Sequence, residues 1–195
     1  MIRSSRQLQI GKAGEYLVCA DLIMKGFIAF PSEQGLPYDV LLDNGKKLLK
    51  VQVKTTEKYR SVPQRKTDTK AYIFNIKRAG KNGKTRYSKN EIDLFALVCL
   101  DTMKIGYVKN IDMPETINLR VDELKGTYYD EKGIKDYKKA IELNSVVNNK
   151  SEIARTLNID VATVHRYLSE GWKPFETKAR YFSDFIRNKE WFYGI

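Results

Sequence analysis

The run Leu49-Lys50-Val51-Gln52-Val53-Lys54 alternates strictly between apolar and polar side chains. Successive side chains of a strand point to opposite faces, so this run fits a β-strand with one buried and one accessible face. Just upstream, Asp43-Asn44-Gly45 supplies the residues that a tight hairpin turn requires. The apolar run opening at Val40 is therefore its partner strand. The hairpin returns Asp39, from Pro37-Tyr38-Asp39-Val40, to the neighbourhood of Gln52 and Lys54, which share a face. An acid, an amide oxygen and an amine meet at one end of a small sheet. Such a group can hold a hard divalent cation through oxygen ligands with an ammonium beside it, which is equipment for metal-assisted phosphodiester hydrolysis.

What else the chain contains narrows the chemistry. Its 195 residues suffice for one full domain and a small appendage. A formal charge of +11 attracts polyanions, nucleic acid being the usual partner, although a basic solubilising surface has the same composition. His165 is the one histidine, and Cys19 and Cys99 are the two cysteines. That inventory does not assemble a Cys/His zinc site, and it leaves a Ser/His/Asp triad without a nearby base. Both cysteines lie in apolar runs and read as reduced core thiols. With no signal peptide at the start and no apolar run of membrane-spanning length, the expectation is a cytoplasmic protein without a membrane partner.

In chain order, residues 1–9 read as a loose basic arm. Residues 11–25 have helical periodicity through Ala13, Leu17, Ala20 and Met24, with Lys25-Gly26 as the stop. Glu15 lies in the first turns of this helix, where the dipole favours a solvent-facing acid. It also lies one helix ahead of the Asp39 hairpin, where it can join the site. Phe27 to Phe30 reads as the first strand, closed by Pro31-Ser32. Residues 56–70, with Arg60 and Arg65, read as a solvated basic loop. Residues 77–86, with Lys77, Arg78, Lys81, Lys84 and Arg86, read as a Gly-rich flexible loop. Both are candidate phosphate contacts, and a plain solvated face is the alternative. Asp93 to Leu100 is a nearly continuous apolar run, expected to be a central strand covered on both sides. Ile105 to Val108 pairs back to it, and residues 116–121 add an edge strand.

The charged stretch 130–149, poor in large apolar groups apart from a short helical pattern at Tyr137 to Leu143, reads as the domain boundary, giving a first domain of residues 1–135 and a helical one of 136–195. Residues 150–157 form a short helix that Ser151 can cap, Asn158-Ile159-Asp160 a tight turn, and residues 161–169 a second helix. Ile153, Leu157, Ile159, Val164 and Leu168 are the expected core of this pair. The arrangement looks like a helix-turn-helix, with Thr163, His165 and Arg166 facing outward as candidate major-groove contacts; a plain helical hairpin is the alternative. The aromatic tail, with Phe182, Phe185 and Ile186 at helical spacing, reads as core or docking surface.

Gly11-x-x-Gly14-Glu15, Pro37-Tyr38-Asp39 and Gln52-Val53-Lys54 together resemble the first helix, the acidic motif and the (E/Q)-X-K strand of the PD-(D/E)XK nuclease superfamily. The Val51-Gln52-Val53-Lys54-Thr55 wording, with Pro31-Ser32 upstream, is most similar to the intron-encoded homing endonucleases of that superfamily. The resemblance covers residues 8–110. It implies an α/β (mixed α+β) fold, a restriction-endonuclease-like mixed sheet flanked by helices, with the helix-turn-helix as an extra C-terminal domain. It implies Asp39 as principal metal ligand, Glu15 reaching the metal directly or through water, and the Gln52 oxygen in a place usually held by a carboxylate. Lys54 would orient the attacking water, and Ser32 would hydrogen-bond near the scissile phosphate. Mg²⁺ is the implied cofactor, with Mn²⁺ able to substitute. Gln52 leaves the site one negative charge short, yet some members of the superfamily carry Gln there, which favours an active enzyme. The implied function is a site-specific homing endonuclease acting on double-stranded DNA as a dimer or tetramer. A Holliday-junction resolvase and a non-catalytic DNA-binding regulator with a decayed site are the alternatives.

Overall fold

The structure, a computed structural model, describes residues 5–62, 69–80, 83–111, 113–125, 128–172 and 180–195. It divides into two compact units, Met1–Asp122 with Arg180–Ile195, and Glu123–Ala179.

In the first unit, α1 spans Arg6–Met24 and begins inside the stretch read as a loose arm. The Ser5 hydroxyl caps it by accepting a hydrogen bond from the Leu8 N–H at 3.3 Å, and Arg, Gln and Leu at its start are good helix formers. There follow β1 (Ile28–Pro31), β2 (Val40–Asp43), β3 (Leu48–Thr56), β4 (Arg60–Ser61) and β5 (Lys70–Asn75). Next come β6 (Arg78–Gly80), β7 (Gly83–Thr85), β8 (Leu94–Cys99), β9 (Lys104–Lys109) and β10 (Thr116–Arg120).

A five-stranded sheet runs in the order β1-β2-β3-β8-β9. It is mixed: β3 and β8 pair in parallel, with Gln52 opposite Phe95, and the other pairs are antiparallel. The alternation read from the sequence sorts the faces. Leu49, Val51 and Val53 bury with Leu42, Leu94 and Ala96 in one cluster with Val18 and Leu22 of α1. All of β8 is buried, as expected for a central strand. A smaller sheet, β10-β5-β4, packs beside β3, and β6 and β7 form a separate hairpin. The stretch 77–86 thus contains paired strand, Arg78 opposite Thr85, where a flexible loop was expected.

The aromatic tail belongs to the first unit, whereas the sequence pattern grouped it with the C-terminal helices. Phe182 buries against Tyr72 and Phe74, and Phe192 of α5 (Lys189–Phe192, the last helix) against Phe27 and Tyr107. Large aromatic rings gain most by leaving water, and these find their pockets on the sheet.

The second unit contains α2 (Tyr128–Val146), α3 (Lys150–Leu157) and α4 (Val161–Tyr167). The charged stretch read as a boundary is largely helix, and the boundary falls after Asp122. Asn149, in place of Ser151, caps α3, its side-chain oxygen accepting from the N–H groups of Ser151 and Glu152. Asn158 turns the chain in the left-handed region at φ 50°, which Asn tolerates. Ile153, Ala154, Leu157, Val164 and Tyr167 bury together with Ala140 of α2, with Ile159 and Leu168 packed on them. Both cysteines are buried and free. Among the described residues no helix is long and apolar enough to cross a membrane.

Candidate active site

The loop from Ser32 to Asp39 is closed by its own backbone. The Ser32 N–H donates to the Asp39 carbonyl at 2.9 Å, and the Ser32 hydroxyl donates to the Tyr38 carbonyl at 2.5 Å. The Asp39 N–H donates to the Val51 carbonyl at 2.9 Å, so the acid is fixed in the hairpin register one step before β2 begins. Its carboxylate then turns toward β3. There Oδ2 accepts a hydrogen bond from the Val53 N–H at 2.8 Å and another from the Gln52 amide nitrogen. The same Gln52 nitrogen lies 3.3 Å from the Val53 carbonyl.

Glu15 reaches this place from α1, which comes close to β3 because residue 14 is glycine. A Cβ on Gly14 would stand 3.0 Å from the Thr55 Cβ and closer still to its hydroxyl. Glu15 and Asp39 line a cleft of about 710 Å³ together with Val53 and Lys54. On its other flank they share a second concavity of about 520 Å³ with Ser32 and Lys12. Four of the expected residues, Glu15, Asp39, Val53's neighbour Lys54 and Gln52, therefore converge, and Ser32 lies beside them with its hydroxyl committed to the loop.

The electrostatics follow from partial burial of like charges. Burial pushes the Asp39 carboxyl above the ordinary aspartate range, and the Glu15 charge adds to the push; the Val53 N–H, Lys54 and Gln52 oppose it without cancelling it. Burial draws the Lys54 ammonium below the ordinary lysine range, and Asp39 restores part of that loss. Lys12 pairs with Glu15 at 2.7 Å, and that bond raises the Lys12 ammonium above its usual value.

Two repelling carboxylates in a half-dry cleft are a site that a divalent cation would relieve. Among the described residues no three His, Cys, Asp or Glu side chains cluster as a ready cage. One or two carboxylates completed by waters and substrate oxygens is the donor set Mg²⁺ and Mn²⁺ accept, so the residues fit a hard cation held mainly by Asp39 and Glu15. Gln52 presents its nitrogen to Asp39, and a half-turn of the amide is required before its oxygen can join them.

Tyr87 escaped the sequence reading. Lys54 Nζ donates to its hydroxyl at 3.1 Å and lies 4.9 Å from its ring centre. Burial pushes the phenol up to about 12, so it stays protonated near neutral pH. The one signal for it was a large aromatic isolated in the polar stretch Arg86-Tyr87-Ser88-Lys89.

The expected phosphate contacts are dispersed. Arg60 and Arg86 are exposed. Lys77 pairs with Glu115 at 2.5 Å, and Arg78 pairs with Glu91 at 2.9 Å. Arg65, Lys81 and the side chain of Lys84 lie outside the described residues. In the second unit His165 and Arg166 are exposed and Thr163 is half-buried. His165 Nδ1 lies 3.4 Å from Lys150 Nζ, and the Arg166 guanidinium lies 5.7 Å from the Trp172 ring centre.

No curated protein sequence matches the chain. Among solved structures, the bacterial homing endonuclease I-Ssp6803I is similar at 19% identity and a TM-score of 0.48, over 64% of this chain and 84% of that one. The profile of the PD-(D/E)XK endonuclease family matches residues 5–139. The matched segment contains α1, the Asp39 hairpin and the Gln52-Val53-Lys54 strand, and by that match this chain belongs to the PD-(D/E)XK endonuclease family.

Proposed function

We propose that the protein is a metal-dependent DNA endonuclease of the site-specific, homing type, with Asp39, Glu15, Gln52 and Lys54 at its centre. The observation that carries this reading is the Asp39 carboxylate, fixed by the Val53 N–H and pushed up by burial and Glu15, in a cleft that also receives Lys54. Structural acids are commonly paired with a cation at the surface; this one is held in a partly dry place beside a second acid.

Bound there, Mg²⁺ or Mn²⁺ supplies Lewis acidity, acidifying water and neutralising charge on the reacting phosphate. The chain supplies position. Asp39 is oriented by a backbone donor that does not move with side-chain torsions, and Glu15 is carried by a helix pinned to β3 at Gly14. Lys54, which shares the cleft with Asp39 and Glu15, would orient the attacking water and donate to the phosphate oxygens as their charge grows. Gln52 steadies Asp39 in the present geometry, and its oxygen would help hold a cation only after its amide turned over. Ser32 keeps the Pro31–Asp39 loop closed, so its effect on the phosphate is exerted through that loop.

DNA is gathered by Arg60, Arg65, Lys77, Arg78, Lys81, Lys84 and Arg86 along the first unit. The α3–α4 pair serves as a helix-turn-helix presenting Thr163, His165 and Arg166. A pseudopalindromic target needs two active sites, so the working form is a dimer or tetramer.

The test is incubation of plasmid, a random-sequence DNA library and synthetic four-way junctions with the protein and Mg²⁺. Cutting at a defined duplex sequence supports the reading, and cutting confined to junctions replaces it with a resolvase. Asp39→Ala and Lys54→Ala are each expected to abolish cleavage while largely sparing binding. DNA binding with no cutting by the wild type, unchanged by Lys54→Ala, would make the protein a regulator.

A further inference from the structure

We propose that Tyr87 is a positioning residue for the nuclease reaction, its phenol oxygen holding the Lys54 ammonium in place at the cleft. The inference rests on the nuclease reading above and adds a residue outside its motifs.

Lys54 carries three donors on a stem with four rotatable bonds, and the ammonium sits in a partly buried place. A group of that kind needs an acceptor, both to offset lost hydration and to select one rotamer among many. Among the described residues its one hydrogen bond is to the Tyr87 hydroxyl, at 3.1 Å. Asp39 attracts the ammonium, but its carboxylate accepts its hydrogen bonds from Val53 and Gln52.

Tyr87 is itself held from two sides. Its ring meets Phe95 edge-on at 5.8 Å between centres, and Phe95 stands opposite Gln52 in the parallel β3–β8 register. The Arg78 guanidinium lies 5.6 Å from the same ring, and Arg78 is fixed by Glu91 and by Thr85 of β7. The ring is thus anchored to the strand beside the motif and to the basic hairpin. A tyrosine present only for packing would be served equally by phenylalanine. The hydroxyl directed at Lys54 is what phenylalanine lacks.

The experiment compares wild type, Tyr87→Phe and Tyr87→Leu in DNA cleavage at saturating DNA, in DNA binding, and in the ¹H–¹⁵N spectrum of lysine ammonium groups at low temperature, Lys54 being assigned by Lys54→Met. A lost hydrogen bond to a charged group corresponds to a fall in kcat of about 10- to 100-fold. Tyr87→Phe is expected to show that fall with KM and binding within about twofold of wild type. Its Lys54 ammonium signal is expected to broaden or vanish through faster proton exchange. Tyr87→Leu is expected to be no better than Tyr87→Phe. Full kcat in Tyr87→Phe, with loss only in Tyr87→Leu, makes Tyr87 a packing residue and overturns the proposal. An unchanged Lys54 signal in Tyr87→Phe overturns it as well. A wild type that cuts no DNA with Mg²⁺ or Mn²⁺ removes the nuclease reading, and the ammonium spectrum still decides whether Tyr87 holds Lys54.

Discussion

The Asp39 carboxylate accepts a hydrogen bond from the Val53 N–H at 2.8 Å, linking the residue before β2 to the middle of β3. The donor is a main-chain group inside a paired sheet, so the acid keeps its direction whatever its neighbours' side chains do. It keeps that direction in a place that disfavours its charge, since burial is the largest influence on its carboxyl and raises it.

That conflict predicts an inverse relation between stability and function at Asp39. A carboxyl raised above the ordinary value of 3.8 on folding contributes most favourably when protonated, and its contribution is lost as pH rises through the folded value. Asp39→Asn keeps an oxygen for the Val53 N–H and carries no charge. Without metal, it is expected to melt above wild type at pH 7 to 8, with the gap closing as pH falls toward 4. Each kcal/mol corresponds to about 2–4 °C in a chain of this size. Thermal melts across pH 4 to 8 check this, and a gap that widens on acidification refutes it.

Divalent cation should reverse the order. A ligand that binds only the folded state at a hundredfold excess over its Kd stabilises by about 2.7 kcal/mol, roughly 5–10 °C here. Wild type is expected to gain stability with Mg²⁺ or Mn²⁺ and lose the gain with a chelator. Asp39→Ala should show no gain and Glu15→Gln a reduced one. Melting curves read this without any cleavage, and equal gains in all three proteins would place the cation elsewhere.

Gly14 sets how near Glu15 can come. An alanine there gains about 1 kcal/mol in helix propensity but meets Thr55, whose Cβ lies at 3.0 Å on a strand that cannot swing aside. Overpacking of that kind costs about 1–3 kcal/mol, so Gly14→Ala is expected to lower stability by up to about 2 kcal/mol net and to reduce cleavage further by displacing α1. Thr55→Val alone should be neutral or stabilising, because the Thr55 hydroxyl is buried without a hydrogen-bond partner among the described residues. Urea unfolding of the two variants measures both effects.

The parts of this site that are legible in the sequence are the ones set by local rules. Period-two alternation fixes which of residues 49–54 share a face, and Asp43-Asn44-Gly45 fixes the turn, with the Gly45 N–H donating to the Asp43 carboxylate at 2.8 Å. Tyr87 is not legible because its place depends on the parallel β3–β8 register, which has no local signature, and on the pairing of Arg78 with Thr85, whose one local signal, Asn82-Gly83, is masked by the basic, Gly-rich composition of the stretch. The return of the aromatic tail is hidden for the same reason. Asn44 donates to the Phe192 carbonyl at 2.8 Å across most of the chain length, and nothing near either residue announces the partner. The stretch 130–149 shows its helix only at 137–143, because the residues that pack with α3 and α4, Tyr137, Ala140 and Leu143, are few and the rest of the helix is mostly charged.

The second unit gives the last prediction. Arg166 is exposed on α4, and its guanidinium lies 5.8 Å from the Tyr167 ring and 5.7 Å from the Trp172 ring. A guanidinium resting on aromatic faces has lost part of its freedom already, so a DNA contact made by it sacrifices little more entropy. His165 is less available, its ring lying beside the Lys150 ammonium. Arg166→Ala is therefore expected to weaken DNA binding more than His165→Ala, raising KM with kcat little changed. The manner of the loss separates two roles. A phosphate contact predicts uniform weakening across sequences and a salt-dependence slope smaller by about 0.9. A base contact predicts a loss of about 1–3 kcal/mol confined to the target sequence, with relaxed preference at one position. Binding isotherms at several salt concentrations, on target and scrambled duplexes, distinguish them; no change in either variant would remove α4 from the DNA interface.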